Sequence, residues 1–184
     1  MKRIFATFLF VGLLINLSAQ KTDYPEISLP LDADSKLITY SQVVEAQANK
    51  DSLYAKSLAW FNAYFKNPTG VIREKSPENG QIMGKHQIKV LNPPDKKGIQ
   101  TMKGIVQYTV KVSVKENKTR IILTDFNIRD NSYTPIEKWS DKSSVQFNNV
   151  NYYYLEQIDK EAKELVKNFQ EFMIKATTVK KDEW

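Results

Sequence analysis

The sequence predicts a single α+β domain in which helices cover one face of a mostly antiparallel sheet, in the order β-α-β-β-β-β-α. Three observations favour this fold class. Apolar and polar residues alternate in several segments, as in strands that are buried on one face only. Two other segments place apolar residues three and four positions apart, as amphipathic helices do. An Asn-Gly pair between two strand segments is typical of a hairpin turn.

The composition of the 184 residues excludes several classes of protein. Hydrophobic residues make up 41% and charged residues 26%, which is ordinary for a globular domain and excludes a disordered or multi-span membrane protein. The chain has no cysteine, so disulfides, thiol catalysis, Cys-ligated metals and a lipid-modified N-terminal cysteine are excluded. Its single histidine excludes any site that needs two imidazoles.

Residues 1–19 have the pattern of a secretory signal peptide. A basic Lys-Arg start precedes the apolar run Ile4–Leu17, and we expect cleavage between Ala19 and Gln20. The run is shorter than the roughly 20 apolar residues that a membrane-spanning helix needs. The sequence therefore predicts an exported protein, periplasmic or extracellular, that is not a lipoprotein and has no membrane span after cleavage.

The rest of the chain divides into three parts. Residues 20–35 contain two prolines and no sustained periodicity, which indicates an extended N-terminal segment. We expect a single α+β domain of unknown function over residues 36–177 and a C-terminal tail over residues 178–184. The domain opens with a strand in Leu37–Ala46, whose alternation is interrupted only by Gln42.

The next predicted element is a helix over Lys50–Lys66, with Asn49 or Asp51 as its N-cap. Pro68 ends it, because proline disfavours helical geometry in the residue before it. Its aromatic residues could be imagined as a ligand platform, but helical spacing favours a core-facing stripe. The stripe consists of Leu53, Tyr54, Leu58, Trp60, Phe61, Tyr64 and Phe65.

Four strands follow this helix. Val71–Lys75 and Gln81–Leu91 flank the Asn-Gly turn, and the segment Asn92–Gln100, with two adjacent prolines, is a loop. Lys103–Lys115 has the most regular alternation, with one tyrosine and four valines on a single face. This pattern predicts a strand with one buried and one exposed face.

The fourth of these strands is Thr119–Arg129, which we expect to pair with the third. Keeping the apolar residues of both strands on one face puts Val114 opposite Ile122 and Val110 opposite Phe126. This register leaves a three-residue loop. Because the loop contains no glycine, a local bulge would be a way to alter the register.

The polar segment Asp130–Asn149 has no periodicity and is predicted to be irregular. A long helix over Asn151–Ala176 follows, with an apolar stripe of Leu155, Ile158, Ala162, Leu165, Phe169, Phe172 and Ala176. Oppositely charged residues four positions apart predict a solvated outer face of this helix. The three pairs are Glu156–Lys160, Asp159–Lys163 and Glu171–Lys175.

Several short motifs occur in a fixed order between Leu37 and Ala176. They are Tyr40-Ser41-Gln42-Val43-Val44-Glu45, Lys50-Asp51-Ser52-Leu53-Tyr54 with Trp60-Phe61, Gly80-Gln81-Ile82-Met83-Gly84-Lys85, Val106-Gln107-Tyr108-Thr109-Val110, Tyr133-Thr134-Pro135-Ile136-Glu137 and Ile158-Asp159-Lys160. In this order they resemble a family of predicted secreted proteins of the Bacteroidetes, a domain of unknown function with a TATA-binding-protein-like (TBP-like) fold. The resemblance implies that fold and supplies no catalytic or binding residue. A fold name alone does not imply DNA binding, because function resides in particular sites.

His86 shares a strand phase with the apolar residues Ile82 and Val90, which favours a packed or sheet-edge residue over a catalytic base. The chain has no Gly-x-Ser-x-Gly elbow, phosphate-binding loop or dinucleotide fingerprint. We therefore assign no catalytic residue, no metal ligand and no cofactor.

Two patterns of carboxylates bear on metal or acid–base chemistry. The segment beginning at Asp125 has oxygen-bearing residues at alternate positions like a calcium loop, but Asp130 stands where that loop needs glycine. Glu74, Asp125 and Glu137 could meet in space as a hydrolase site, although nothing in their spacing selects them.

Between residues 91 and 120 there are seven Lys or Arg residues against two acidic ones. Such a segment predicts either an anion-binding face or a solvated sheet with protected edges. We select Lys111 and Lys115 as binding candidates, with Tyr133 and Trp139 as aromatic contacts beside them.

Three functions remain open at this level. The first is a non-catalytic binding or envelope-interaction domain with an unidentified ligand or envelope partner. The second is a hydrolase that uses carboxylates and His86. The third is an anion-binding surface for glycans or lipid head groups. Nucleic acid is not an expected partner of an exported chain.

Overall fold

The computed structural model describes residues 23–129 and 132–175. The predicted signal peptide with its cleavage site at Ala19 and Gln20, the C-terminal tail, Asp130 and Ala176 lie outside the described residues. Within the described ranges, no helix combines the length and the apolar character needed to cross a membrane.

The strands and helices follow one another in the predicted order, with three short additions. The elements are β1 (Tyr40–Glu45), α1 (Lys50–Tyr64), α2 (Pro68–Val71), β2 (Ile72–Ser76), β3 (Gln81–Leu91), β4 (Met102–Lys115), β5 (Lys118–Arg129), β6 (Tyr133–Pro135), a 3-10 helix (Ile136–Trp139) and α3 (Asn151–Ile174). The α+β class is confirmed. The expectation of an irregular segment over Asp130–Asn149 is wrong in part, because β6 and the 3-10 helix lie within it.

The six strands form one antiparallel sheet, in which five of them lie in the order β1-β5-β4-β3-β2. The short strand β6 pairs with residues Asn127–Arg129 at the end of β5, on the edge that β1 occupies farther along. Strand β2 pairs only with the first part of β3, as far as Gly84, so the remainder of β3 has a free edge. One edge of the sheet is therefore shared by β1 and β6, whereas at the other edge β2 covers only part of β3.

One face of the sheet, which we call the inner face, packs against α1 and α3. Its centre is the row of β4 side chains that the sequence assigns to a buried face, namely Val106, Tyr108, Val110, Val112 and Val114, all of which are at most 3% exposed. Trp60 of α1 joins the two helices, because its ring lies 5.0 Å from that of Phe169 and its Nε1 donates to Asn168 at 2.9 Å. On α3 Met173 is buried instead of the predicted Phe172, which packs at the margin of the core.

The predicted register between β4 and β5 is wrong. The structure places Val114 opposite Thr119 and Val110 opposite Leu123, so that the connection is a two-residue turn. Asn117 occupies this turn with a φ of 61°, and its backbone exchanges hydrogen bonds with Ala46 and Ala48 beyond the end of β1. These contacts with a distant segment stabilise the short turn that the sequence pattern does not indicate.

A β-bulge in β5 restores the inward orientation of Phe126. The register shifts between Gln107 and Thr109 of β4, opposite Asp125, whose φ is 60°. Before the bulge the inward residues are Ile121 and Leu123, and after it the inward residue is Phe126, each with 0% exposure. Because a bulge adds one residue to one strand, it exchanges the two faces of that strand.

The outer face of α3 is less fully solvated than its charge pattern predicts. Asp159 is only 8% exposed, and it accepts hydrogen bonds from the Tyr40 hydroxyl at 2.9 Å and from the Lys163 ammonium at 2.7 Å. Burial, reinforced by the charge of Asp159, raises the pKa of Tyr40 well above its usual range. The other two predicted pairs, Glu156–Lys160 and Glu171–Lys175, do not form ion pairs among the described residues.

Candidate functional site

The sheet face opposite the helices, here the outer face, brings side chains from five strands into rows. Residues directly opposite each other in an antiparallel sheet point to the same face. One row across the sheet contains Ser41, Ile122, Lys111, Met83 and Glu74, and the next contains Val43, Arg120, Ser113, Gln81 and Ser76. A third row, at the β4–β5 turn, contains Glu45, Lys118 and Lys115.

Four exposed cations in these rows form a cluster that we call the basic patch, Lys111, Lys115, Lys118 and Arg120. Across the described ranges, no carboxylate lies within ion-pair distance of any of them. Two adjoining clefts of about 240 and 370 Å³ are lined by members of the patch. Aliphatic side chains lie between the cations, with Val43 47% exposed and Ile122 partly exposed.

The structure separates the four binding candidates chosen from the sequence. Lys111 and Lys115 lie on the outer face as expected, and Tyr133 is 58% exposed on β6, beside the opposite end of that face. Trp139 is only 6% exposed and packs in the core against the ring of Tyr154 at 5.8 Å. The expectation that Trp139 offers an aromatic contact beside the basic strand is therefore wrong, because the 3-10 helix turns its side chain inward.

The outer face is not uniformly exposed, since the Thr109 side chain on it is only 5% exposed. Its hydroxyl donates to Asp125 Oδ2 at 3.3 Å, and Asn127 Nδ2 donates to Asp125 Oδ1 at 3.0 Å. Residues 125–129 are thus the bulged end of β5, with the Asp125 carboxylate engaged by neighbouring side chains. In the described part of the chain, no three His, Cys, Asp or Glu side chains converge as metal ligands would.

The three carboxylates considered for hydrolysis do not come together. Glu74 on β2 and Asp125 on β5 are separated by two intervening strands, which puts them at least about 14 Å apart at the usual strand spacing. Glu137 lies in the 3-10 helix, where its Oε1 accepts from the backbone N–H of Ile38 at 2.8 Å. Its Oε2 is buried without a hydrogen-bond partner among the described residues.

His86 packs as the sequence suggests, between aromatic side chains. Its ring lies 4.7 Å from that of Phe65 and 5.9 Å from that of Tyr108, both in edge-to-face orientation. Burial lowers the pKa of His86, which favours the neutral imidazole. None of the hydrogen bonds among the described side chains links it to a hydroxyl nucleophile or to a carboxylate, so the geometry does not support its use as a catalytic base.

Sequence reasoning missed the cleft that contains His86, which we call the edge cleft. It has a volume of about 500 Å³ and lies where β2 begins, between the C-terminal end of α1 and the free edge of β3. Its lining consists of Tyr64, Phe65, Lys66, Asn67, Gly70, Val71, Arg73, Lys85, His86, Gln87 and Gln107. These residues come from five segments, so no linear motif could have indicated them.

The comparisons with known proteins bear on the fold. Residues 40–129 match the family described as a domain of unknown function (DUF4468) with TBP-like fold. The crystal structure of a DUF4468 family protein from Bacteroides ovatus ATCC 8483 is similar, with a TM-score of 0.64, 12% identity, and coverage of 81% of this chain and 92% of that chain. A TBP-like protein from Parabacteroides distasonis ATCC 8503 has a TM-score of 0.48 and 14% identity, with coverage of 73% and 93%. No curated protein matches the sequence.

These similarities confirm the resemblance stated from the sequence motifs, together with the TBP-like fold that it implies. At 12% identity the structural likeness shows the fold alone. Function must therefore be argued from the surfaces of this chain.

Proposed function

We propose that this chain, whose residues 40–129 match the family described as a domain of unknown function (DUF4468) with TBP-like fold, is an exported, non-catalytic domain that binds the anionic lipid surface of the cell envelope through its basic patch. The observation that carries this proposal is the set of four exposed cations, without ion-pair partners among the described residues, on the sheet face opposite α1 and α3.

The chemistry of the patch favours a lipid surface over a soluble anion. Aliphatic side chains at Val43 and Ile122 lie among the cations, so the surface combines positive charge with apolar area. Surfaces of this kind bind at the head-group level of anionic membranes, where each nearby Lys or Arg contributes about 1 kcal/mol. Glu45 and Glu74 at the margins of the rows reduce the net charge of the face without pairing with the patch.

Export is supported by the signal-peptide pattern of residues 1–19. Intact-mass measurement of the protein from the native envelope should give an N-terminus near Gln20 and no lipid modification. Recovery of the full-length chain from the cytosol would contradict export.

Membrane binding is tested with vesicles of 30% phosphatidylglycerol in phosphatidylcholine, against vesicles of phosphatidylcholine alone. Replacing Lys111 and Lys115 together by alanine removes about 2 kcal/mol of attraction, so binding should weaken about 30-fold. The matched control is the double alanine variant of Lys160 and Lys167 on the exposed face of α3, which removes the same charge.

Binding of the unaltered chain should also weaken steeply between 50 and 300 mM salt, because exposed charges are screened over about 10 Å at 0.1 M. Equal loss of binding in both double variants would mean that net charge, and not the patch, determines the interaction. Equal binding to the neutral vesicles would refute the lipid-surface proposal.

A further inference from the structure

We propose a second, separate binding site for an acidic oligosaccharide, which begins in the edge cleft and runs across the outer face to Tyr133. Its residues differ from those of the basic patch, and it does not depend on lipid binding. Four features of the structure support it: the charge of the cleft, the unpaired imidazole of His86, the row of amide side chains that leaves the cleft, and the exposed ring of Tyr133.

The edge cleft is positively charged. Lys66 follows α1, Arg73 lies on β2 and Lys85 lies on β3, and all three are exposed around the same opening. No carboxylate is among the described residues that line it. Because a guanidinium matches a carboxylate with two parallel hydrogen bonds, the cleft fits the acid group of a uronic acid residue.

The inner wall of the cleft offers hydrogen bonds that the protein does not use. The His86 ring is held between Phe65 and Tyr108, and in its neutral form it has one donor and one acceptor nitrogen. Neither nitrogen has a hydrogen-bond partner among the described side chains. A sugar hydroxyl both donates and accepts, so it can use either nitrogen.

A row of amides connects the cleft to the centre of the outer face. Gln87 lies directly opposite Gln107, and Gln107 lies directly opposite Asn127, on three adjacent strands. The Gln87 and Gln107 amides each offer two donors and an acceptor to sugar hydroxyls. Asn127 offers only its acceptor oxygen, because its Nδ2 already donates to the backbone oxygen and to Oδ1 of Asp125. Lys85 and Gln107 line both the edge cleft and a second cleft of about 370 Å³ that reaches Asn127 and Tyr133.

The track ends on an exposed aromatic ring. Tyr133 is 58% exposed on β6, three strand spacings or about 14 Å from β3. The apolar face of such a ring packs against the C–H face of a sugar, while its hydroxyl remains in water. A saccharide that contacts both ends must therefore be longer than one residue. The exposed Asp125 carboxylate lines the second cleft, so we expect an acid group of the ligand to bind at the Arg73 end.

The test measures binding of trigalacturonate to the purified chain by isothermal titration calorimetry, with neutral galactotriose as the matched ligand. We expect galactotriose to bind at least tenfold more weakly. Arg73→Ala and Lys85→Ala should each weaken trigalacturonate binding at least tenfold, whereas Lys89→Ala, on the same strand and face as Lys85 but outside the cleft, should change it less than twofold. Tyr133→Ala should weaken binding of the trisaccharide about fivefold and leave monogalacturonate unaffected.

The side chains of these exposed residues form no hydrogen bonds or ion pairs within the described structure, so the thermal unfolding temperatures of the variants should match that of the unaltered chain. The inference is overturned if trigalacturonate shows no saturable binding, if galactotriose binds equally well, or if Lys89→Ala causes the same loss as Lys85→Ala. Vesicle binding through the basic patch in the absence of trigalacturonate binding would leave the proposed function standing and remove this inference.

Discussion

Ile121 and Ile122 are adjacent, identical side chains that the structure places on opposite faces of β5. Ile121 is 0% exposed and faces the helices, whereas Ile122 lies partly exposed in the outer row beside Lys111. Truncating a fully buried isoleucine to alanine costs about 2–5 kcal/mol, since the lost transfer free energy is increased by the cavity that remains. A partly exposed residue without a closed cavity should cost less than about 1 kcal/mol.

We expect Ile121→Ala to lower the free energy of unfolding by at least about 1 kcal/mol more than Ile122→Ala. Urea unfolding at pH 7, followed by far-UV circular dichroism, measures both values, and unchanged m-values are needed for the comparison. Leu123→Ala serves as a second inward position before the bulge, and Phe126→Ala as the inward position after it, each with 0% exposure at the native side chain. Both variants should lose about as much free energy of unfolding as Ile121→Ala.

A larger loss of unfolding free energy in Ile122→Ala than in Ile121→Ala would refute the observed register. If Ile122→Ala costs more than Ile121→Ala, the three-residue loop with Val114 opposite Ile122 is the correct pairing. Equal costs for the two variants would mean that β5 does not separate a buried face from an exposed one at this point.

Three further predictions concern other features of the core and turns. A double-mutant cycle on Tyr40→Phe and Asp159→Asn, measured by urea unfolding, should give a coupling free energy of about 1.5–3 kcal/mol, because the buried hydroxyl donates to a charged carboxylate at 2.9 Å. A coupling free energy below about 0.5 kcal/mol would contradict this prediction. Burial lowers the pKa of His86, so the unfolded chain takes up a proton at a higher pH than the folded chain does, and the free energy of unfolding falls as the pH drops below about 6.5. His86→Gln should reduce the slope of the free energy of unfolding against pH between about pH 7 and 5.5. An unchanged slope would exclude His86 as the cause. Asn117→Val should lower the thermal unfolding temperature, since a β-branched residue is strained at a φ of 61° by about 1–2 kcal/mol, while Asn117→Gly should not.

Local sequence patterns were sufficient to predict the burial of a residue wherever that burial depends on the residue's own strand or helix. The alternation in β4 predicts its buried face, because successive side chains of a strand point to opposite sides. Helical spacing places Trp60 and Phe61 in the core, and both are 0% exposed. The absence of cysteine excluded thiol and disulfide chemistry without any structure.

Features that depend on two segments meeting in space were not predictable in this way. The two-residue turn at Asn117 is stabilised by hydrogen bonds to Ala46 and Ala48, about 70 positions earlier in the chain. Trp139 lies in a polar stretch that suggests an exposed ring, yet it is buried against α3, and Asp159 in a solvated helical pattern is buried beside Tyr40.

The candidate sites likewise depend partly on local sequence patterns and partly on which segments meet in the tertiary structure. The sequence by itself determined the excess of cations around β4, and so it selected Lys111 and Lys115 on the exposed face. Only the tertiary structure joined them to Lys118 and Arg120 across a turn, and only it assembled the edge cleft from Lys66, Arg73 and Lys85. The physical reason is that periodicity determines which way a side chain points from its own strand or helix, whereas strand register and order decide which side chains it meets.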